Sequence, residues 1–446
     1  MKKLDAFRVH LWYSGLGSFG GTLVWTAMMV YQVQIVGLTP LQLVLVGTTM
    51  EVTAFLFEIP TGIVADVYSR RLSTIIGVFL IGVAYLVEVS VPTFAALIIG
   101  NIIWSIGYTF TSGAYQAWLV DEVGQERAGA AFIRGGQVGR IAGLLGIPTA
   151  VALGTIYLGL PVIVGGLIHI VAAVYLLLFM PETGFTPTPA PDRNTFQKMG
   201  DTFSAGLKVI RGRPKLMSIL AVGLFFGLFS EAWDRLWQAH LIRNFNIAGV
   251  FGLPTIWIFG IMDAILMVIG FTGLEIMRRR LDTNNPVKLT RAVFWLTAVM
   301  VVGIIAYGLS PVLGVALIAW LGFMIARDLI GAPLDTWTNQ HIDSNVRATV
   351  LSMRSQTDAI GQIVGGPPLG LIGQQSVRLA FIASGAVLSP ALLILNWVRE
   401  REKRGALIAE AEVVEVTPPP PPPLSSPPPP SPPGNRGAPP PRPPGK

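Results

Sequence analysis

The sequence predicts an all-α membrane protein in which twelve transmembrane helices form two six-helix bundles. Three observations predict it. Of 446 residues, 52% are hydrophobic and 13% charged, with a mean hydropathy of +0.60, which leaves too little polar surface for soluble domains. Apolar segments of about 20 residues or more, enough to cross a bilayer, recur between short polar or Pro/Gly turns. The one internal stretch rich enough in Pro and charge to be solvated, 181–213, falls close to the middle of the hydrophobic region. The expected organisation is an N-terminal bundle over 1–180, a cytoplasmic linker over 181–213, a C-terminal bundle over 214–404 and a disordered Pro-rich tail over 405–446.

The first span is expected from about Phe7 to Val36. It follows Met-Lys-Lys but is too long for the apolar core of a signal peptide and lacks a small-residue cleavage site, so it is retained. Turns then delimit Leu41 to Asp66, Leu72 to Val89, Thr93 to Asp121 and Ala128 to Ile156, with a sixth span closing near Met180. The second half repeats the pattern at Lys215 to Arg243, Phe251 to Arg278, Leu289 to Leu309, Val312 to His341, Thr349 to Ile372 and Val377 to Arg399. From Pro418 onward the tail holds half of the chain's 34 prolines. Proline lacks the amide donor, so this part is expected to be extended and dispensable, with a proline-binding partner as the less favoured reading.

Charge supplies the orientation. The 32 Lys and Arg residues concentrate on alternate connections and the chain ends, leaving Arg243 and Arg378 on the other side; positive charge marks the cytoplasmic side. Both termini are therefore expected in the cytoplasm, in a bacterial-type inner membrane. The net +7 reads as an insertion signal rather than a nucleic-acid surface. Cysteine is absent and His10, His169, His240 and His341 share no ligand spacing, so no metal or cofactor is expected. No Gly-rich Lys-Ser/Thr phosphate loop is present, so ATP is not the expected driver.

The halves resemble each other. Gly113-Ala114-Tyr115-Gln116-Ala117-Trp118 near the end of the fourth span has a counterpart in Gly331-Ala332-Pro333-Leu334-Asp335-Thr336-Trp337 of the tenth, each followed by an arginine pair, Arg127 and Arg134, then Arg347 and Arg354. A duplicated bundle suits alternating access, with a substrate site at mid-membrane between halves that rock against each other. The loop between the second and third spans reads Phe57-Glu58-Ile59-Pro60-Thr61-Gly62-Ile63-Val64-Ala65-Asp66-Val67-Tyr68-Ser69-Arg70-Arg71. Gly62 permits close helix approach, and Asp66 and Arg70 can form a charge cluster with Asp121.

With this loop, the sequence resembles the major facilitator superfamily: Gly62, Asp66, Arg70 and Arg71 fall on its signature, while Val67 and Ser69 depart from it. The resemblance implies the superfamily's fold over about residues 5–400 and a conformational latch made by Gly62, Asp66, Arg70, Arg71 and Asp121, with Asp66 facing the start of the eleventh span. The equivalent loop of the second half, Gly273-Leu274-Glu275-Ile276-Met277-Arg278, has Met277 in place of the aspartate. Finer features, Glu58 to Gly62, Ser112-Gly113-Ala114 and Asp234-Arg235-Leu236-Trp237, resemble the bacterial macrolide and tetracycline efflux branch. That branch's Gly-Pro motif is missing from the fifth span; Gly365-Gly366-Pro367-Pro368 appears in the eleventh instead.

Ionisable residues within spans cost roughly 2.5–3.5 kcal/mol each at the bilayer centre and mark function. Glu51, Glu58, Glu231, Asp234 and Asp263 are the proton-coupling candidates. Glu231 and Asp234 rank first, because Arg235 cannot neutralise both. Arg235, Arg327, Asp328, Asp335, Arg354 and Asp358 are candidate charge partners, with Arg327 expected to neutralise its neighbour Asp328. Trp25, Tyr115, Trp118, Trp233, Trp237 and Trp337 are candidate cavity aromatics able to stack on a flat cationic molecule. The expected function is proton-coupled export of a small amphipathic, drug-like compound by a monomer whose partners are substrate, protons and lipid. A uniporter or importer of a metabolite or lipid-like solute is the alternative, and a membrane enzyme or sensor the second.

Overall fold

The computed structural model describes residues 4–187, 211, 213–342 and 347–416. The N-terminal half comprises α1 (Ala6–Gln34), α2 (Pro40–Val67), α3 (Arg70–Ser90), α4 (Phe94–Thr111), α5 (Ala114–Val123), α6 (Gln125–Ile156) and α7 (Leu160–Phe179). The C-terminal half comprises α8 (Pro214–Phe245), the short α9 (Ile247–Phe251), α10 (Thr255–Arg280), α11 (Pro286–Leu309), α12 (Leu313–Gln340), α13 (Arg347–Gln375) and α14 (Val377–Val416). Several helices start where the sequence supplies caps. Thr39 and Gln42 form a reciprocal capping box before α2, with Pro40 at its first position, and Ser69, Thr93 and Asn285 accept from backbone amides at the starts of α3, α4 and α11.

Ten segments among the described residues are long and apolar enough to cross a membrane, α4 with α5 forming one of them. The two other expected spans, α1 and α13, are each 29 residues long but more polar: α13 carries Arg354, Gln356, Asp358 and Gln362. Both pack among neighbours, α1 on α6 and α7, α13 on α8 and α2. Small residues allow this. A side chain at Gly227 or Gly361 would strike the backbone of the opposite helix of the α8–α13 pair.

Two helices differ from expectation. The fourth span is broken at Gly113, which has φ +73° and separates α4 from α5; glycine reaches this left-handed region without the Cβ clash other residues meet. Its counterpart α12 runs unbroken through Pro333, so the repeated sequences fold differently. The last helix continues through the first residues of the expected tail to Val416, because 405–416 is rich in helix formers and its first proline is Pro418. Lys403–Lys446 forms a unit separate from Met1–Glu402. The proline runs, and most of the expected linker (188–210), lie outside the described residues.

Candidate substrate cavity

The halves meet along α2–α13 and α6–α10. We call the side carrying residues 66–71 the Arg70 side and the opposite one the far side. On the far side the contacts are close: Gly366, Gly370 and Gly373 of α13 lie against Thr48, Val44, Leu41 and Pro40 of α2. Gly154 and Gly260 do the same for α6 and α10, against Ile256 and Val151. Hydrogen bonds add to them, Gln34 Nε2 to Thr255 Oγ1 at 2.7 Å, Trp257 Nε1 to Thr155 Oγ1 at 2.9 Å and Arg243 to the Leu38 carbonyl. Toward the Arg70 side α2 and α13 diverge around a cavity. The Gly365–Pro368 segment thus acquires a role the sequence did not disclose: it presses α13 onto Leu228 of α8 and Val44 and Thr48 of α2.

The cavity has lobes that share Met50, Glu51 and Gln362. One, of about 390 Å³, is walled by Glu58 of α2, Trp104 and Tyr108 of α4 and Asp358 of α13. Another, of about 340 Å³, is lined by Trp25, Met28, Met29 and Gln32 of α1 and by Glu231, Asp234, Arg235 and Gln238 of α8. Trp104 and Tyr108 stack with ring centroids 5.3 Å apart, and Trp25 meets Trp104 edge-on at 6.1 Å.

Of the six aromatic candidates, only Trp25 lines these lobes. Trp233 is fully buried against Tyr307, Phe323 and Phe381, and Trp237 packs on Phe259 and Trp320. Trp337 is buried beside His341, and Trp118 is buried with its Nε1 donating to the Pro181 carbonyl at 2.7 Å. Tyr115 stacks on His10, to which it is hydrogen-bonded. These five belong to helix packing, because the apolar area of an aromatic ring is as well placed in a core as in a cavity.

The charges are paired differently from the expectation. Arg235 Nε donates to Glu231 Oε1 at 2.9 Å, and both side chains are buried. Asp234 takes both terminal nitrogens of Arg327, one at 2.7 Å. Arg235 serves only Glu231, as expected, but Arg327 gives Asp234 a cation of its own, so neither acid is left over and the ground for ranking the two first is lost. Asp328 is not the partner of Arg327: it is exposed and faces Gly270 of α10, since adjacent helix residues point about 100° apart. Arg354 bonds Asp335 at 2.7 Å, and Asp358 accepts from Gln362 at 2.9 Å. Glu51 sits in the middle of α2 where the lobes join, with no ion pair among the described residues. Glu58 is exposed in one lobe. Asp263 lies on α10, outside both lobes.

At the Arg70 end, Arg70 bonds Asp121 of α5 and stands 3.5 Å from the exposed Asp66. Arg71 donates to the Leu177 carbonyl at 2.6 Å. Among the described residues nothing lies within 4 Å of where a Cβ on Gly62 would stand. Residues 343–346, before α13, lie outside the described residues. In the second half, Arg278 and Arg279 both bond Glu275, at 2.8 and 2.6 Å.

The family model for the Major Facilitator Superfamily matches residues 12–366. The chain belongs to the major facilitator superfamily. It is similar to the uncharacterized MFS-type transporter YxaM of Bacillus subtilis, 22% identical over 79% of this chain and 85% of that one. Among solved structures, nucleoside transporter NupG matches with TM-score 0.67 at 13% identity, over 90% of this chain and 99% of that one. A bacterial homolog of the human lysosomal transporter Spinster matches with TM-score 0.66 at 14% identity, over 89% and 96%. These likenesses establish the fold and a membrane transporter of the superfamily type.

Several residues of this transporter escaped sequence reasoning. Glu182 accepts from Ser69 Oγ at 2.7 Å and from the Arg71 amide at 2.9 Å, and Glu122 accepts from Thr183 and Gly184. Glu182 fixes the start of the linker against the signature loop and Glu122 fixes it against α5, and no local pattern announces such pairings. Glu88 is buried on α3, accepting from Asn101 Nδ2 at 3.1 Å; the count of ionisable residues within spans would have found it.

Proposed function

We propose that the protein exports a flat, cationic, amphipathic small molecule in exchange for protons, and that Glu51 is the coupling carboxylate. The observation that supports this most is Glu51 itself: it faces both cavity lobes and makes no ion pair among the described residues, whereas Glu231 and Asp234 each hold an arginine. Glu58 and Asp358 add negative charge to the same space, and Trp25, Trp104 and Tyr108 supply faces for a cation to stack on. A proton and a cationic substrate competing for one carboxylate give exchange without a further device. The positive charge on the Arg70 side supports a cytoplasmic position for that side, and with it uptake of the substrate from within the cell.

The test is ethidium flux in proteoliposomes with an imposed pH gradient. Accumulation against the ethidium gradient that collapses when the pH gradient is dissipated supports exchange. Downhill flux indifferent to pH would favour the uniporter reading, and uptake in the same direction as protons the importer.

A further inference from the structure

Away from the cavity, α1 and α6 leave a groove of about 400 Å³ lined by Leu11, Trp12, Gly15, Leu16 and Val138. It faces outward. Trp12 is 64% exposed and, thirteen residues before Trp25, lies about 140° around the helix from that cavity residue. On α6, Ile141 and Leu145, which share a face with Val138, are exposed apolar side chains, the composition of a lipid-facing surface. At Gly15 the helices close to van der Waals distance, with Val138 Cγ1 3.3 Å from where a Cβ would stand.

One end of this apolar groove is basic. Arg8 is one turn from Leu11 and Trp12, and Arg134 one turn from Val138, each on the Arg70 side of its neighbour. Both are exposed. The helices run parallel, and their register is set by His10, whose Nε2 donates to the Ala131 carbonyl at 3.0 Å. With Gly15 set against Val138, Arg8 and Arg134 differ in height by only about 5 Å, at 1.5 Å per residue. Neither guanidinium pairs with a carboxylate among the described residues. Arg134 bonds the Gln137 amide oxygen at 3.2 Å, and the Asp5 carboxylate accepts from the Arg8 backbone amide at 3.3 Å.

We propose that this groove seats one anionic phospholipid, its phosphate between Arg8 and Arg134 and one acyl chain along Leu11, Gly15, Leu16 and Val138. The charge fits an anion, since two guanidiniums stand together at one end and guanidinium planes match phosphate oxygens. The apolar remainder, running along the span, fits a hydrocarbon chain rather than a compact solute. Trp12 sits between the two regions, where an indole is well placed beside the headgroup–chain boundary.

The experiment is native mass spectrometry of the full chain extracted from phosphatidylcholine vesicles that contain a minor fraction of phosphatidylglycerol. The wild type is expected to retain one phosphatidylglycerol in preference to phosphatidylcholine. Arg8→Gln/Arg134→Gln, at exposed positions that leave the fold intact, should lower that preference by a factor of about 10 to 30. Val138→Phe, which fills the groove and keeps both charges, should lose the bound lipid as well. Equal retention of the two lipids by the wild type, no retained lipid, or an unchanged preference in the double arginine variant would overturn the proposal.

Discussion

Two helices that line one lobe of the cavity hold their carboxylates differently. On α8, Glu231 is bonded to Arg235 one turn on, and Asp234 to Arg327 of α12. On α2, Glu51 faces the same space with no ion pair among the described residues. A carboxylate tied to a fixed cation in a low-dielectric site is a structural member, because losing either partner strands a charge. One without a cation can exchange a proton or take a cationic ligand as access changes. The partner, rather than the burial, separates the two roles.

The contrast is broken most forcefully on α8. Glu231→Gln should destabilise the protein by about 3–5 kcal/mol, since it leaves Arg235 buried without its partner; thermal unfolding in detergent measures this. Glu231→Gln/Arg235→Gln should recover much of the loss, and if the single variant is as stable as the wild type, the pair is not structural. Asp234→Asn should cost less, about 1–3 kcal/mol, because that pair is partly exposed to the cavity. Its ethidium accumulation should persist in the protein that remains folded.

The contrast is sharpened by the cavity wall. Trp104→Ala should weaken ethidium binding about 5- to 30-fold, the range for a desolvated cation–π contact, whereas Trp233→Ala should lower stability and leave the affinity of the folded fraction unchanged. Fluorescence titration beside thermal unfolding separates the two. The smallest effect is expected at the C-terminus. Truncation after Val416 should leave flux at the wild-type level, and a loss with normal membrane insertion would point to a partner of the proline runs.

What the sequence made legible follows from what is local. Helix starts were written in caps and turns, as at Thr39 and Ser69, and Arg70 and Asp121 were expected within reach because both fall at span ends on the same side. The break at Gly113 was hidden because Gly-Ala in an apolar span reads equally as close helix packing. Pairings were the least legible. Arg327 adjoins Asp328 in sequence but bonds Asp234, 93 positions away, and only the docking of α12 on α8 decides between them. Aromatics were misassigned for the same reason: Trp25 and Trp233 each stand 19 residues after the first residue of their helices, Ala6 of α1 and Pro214 of α8, yet one lines the cavity and the other fills a core.

We propose that Glu51 carries the proton. It is tested most directly by comparing two ethidium fluxes in proteoliposomes containing Glu51→Gln, one driven by a pH gradient and one downhill exchange with no pH gradient. A neutral amide of the same shape should abolish gradient-driven accumulation while exchange continues. Accumulation at the wild-type level, with the same dependence on the pH gradient, would contradict the account.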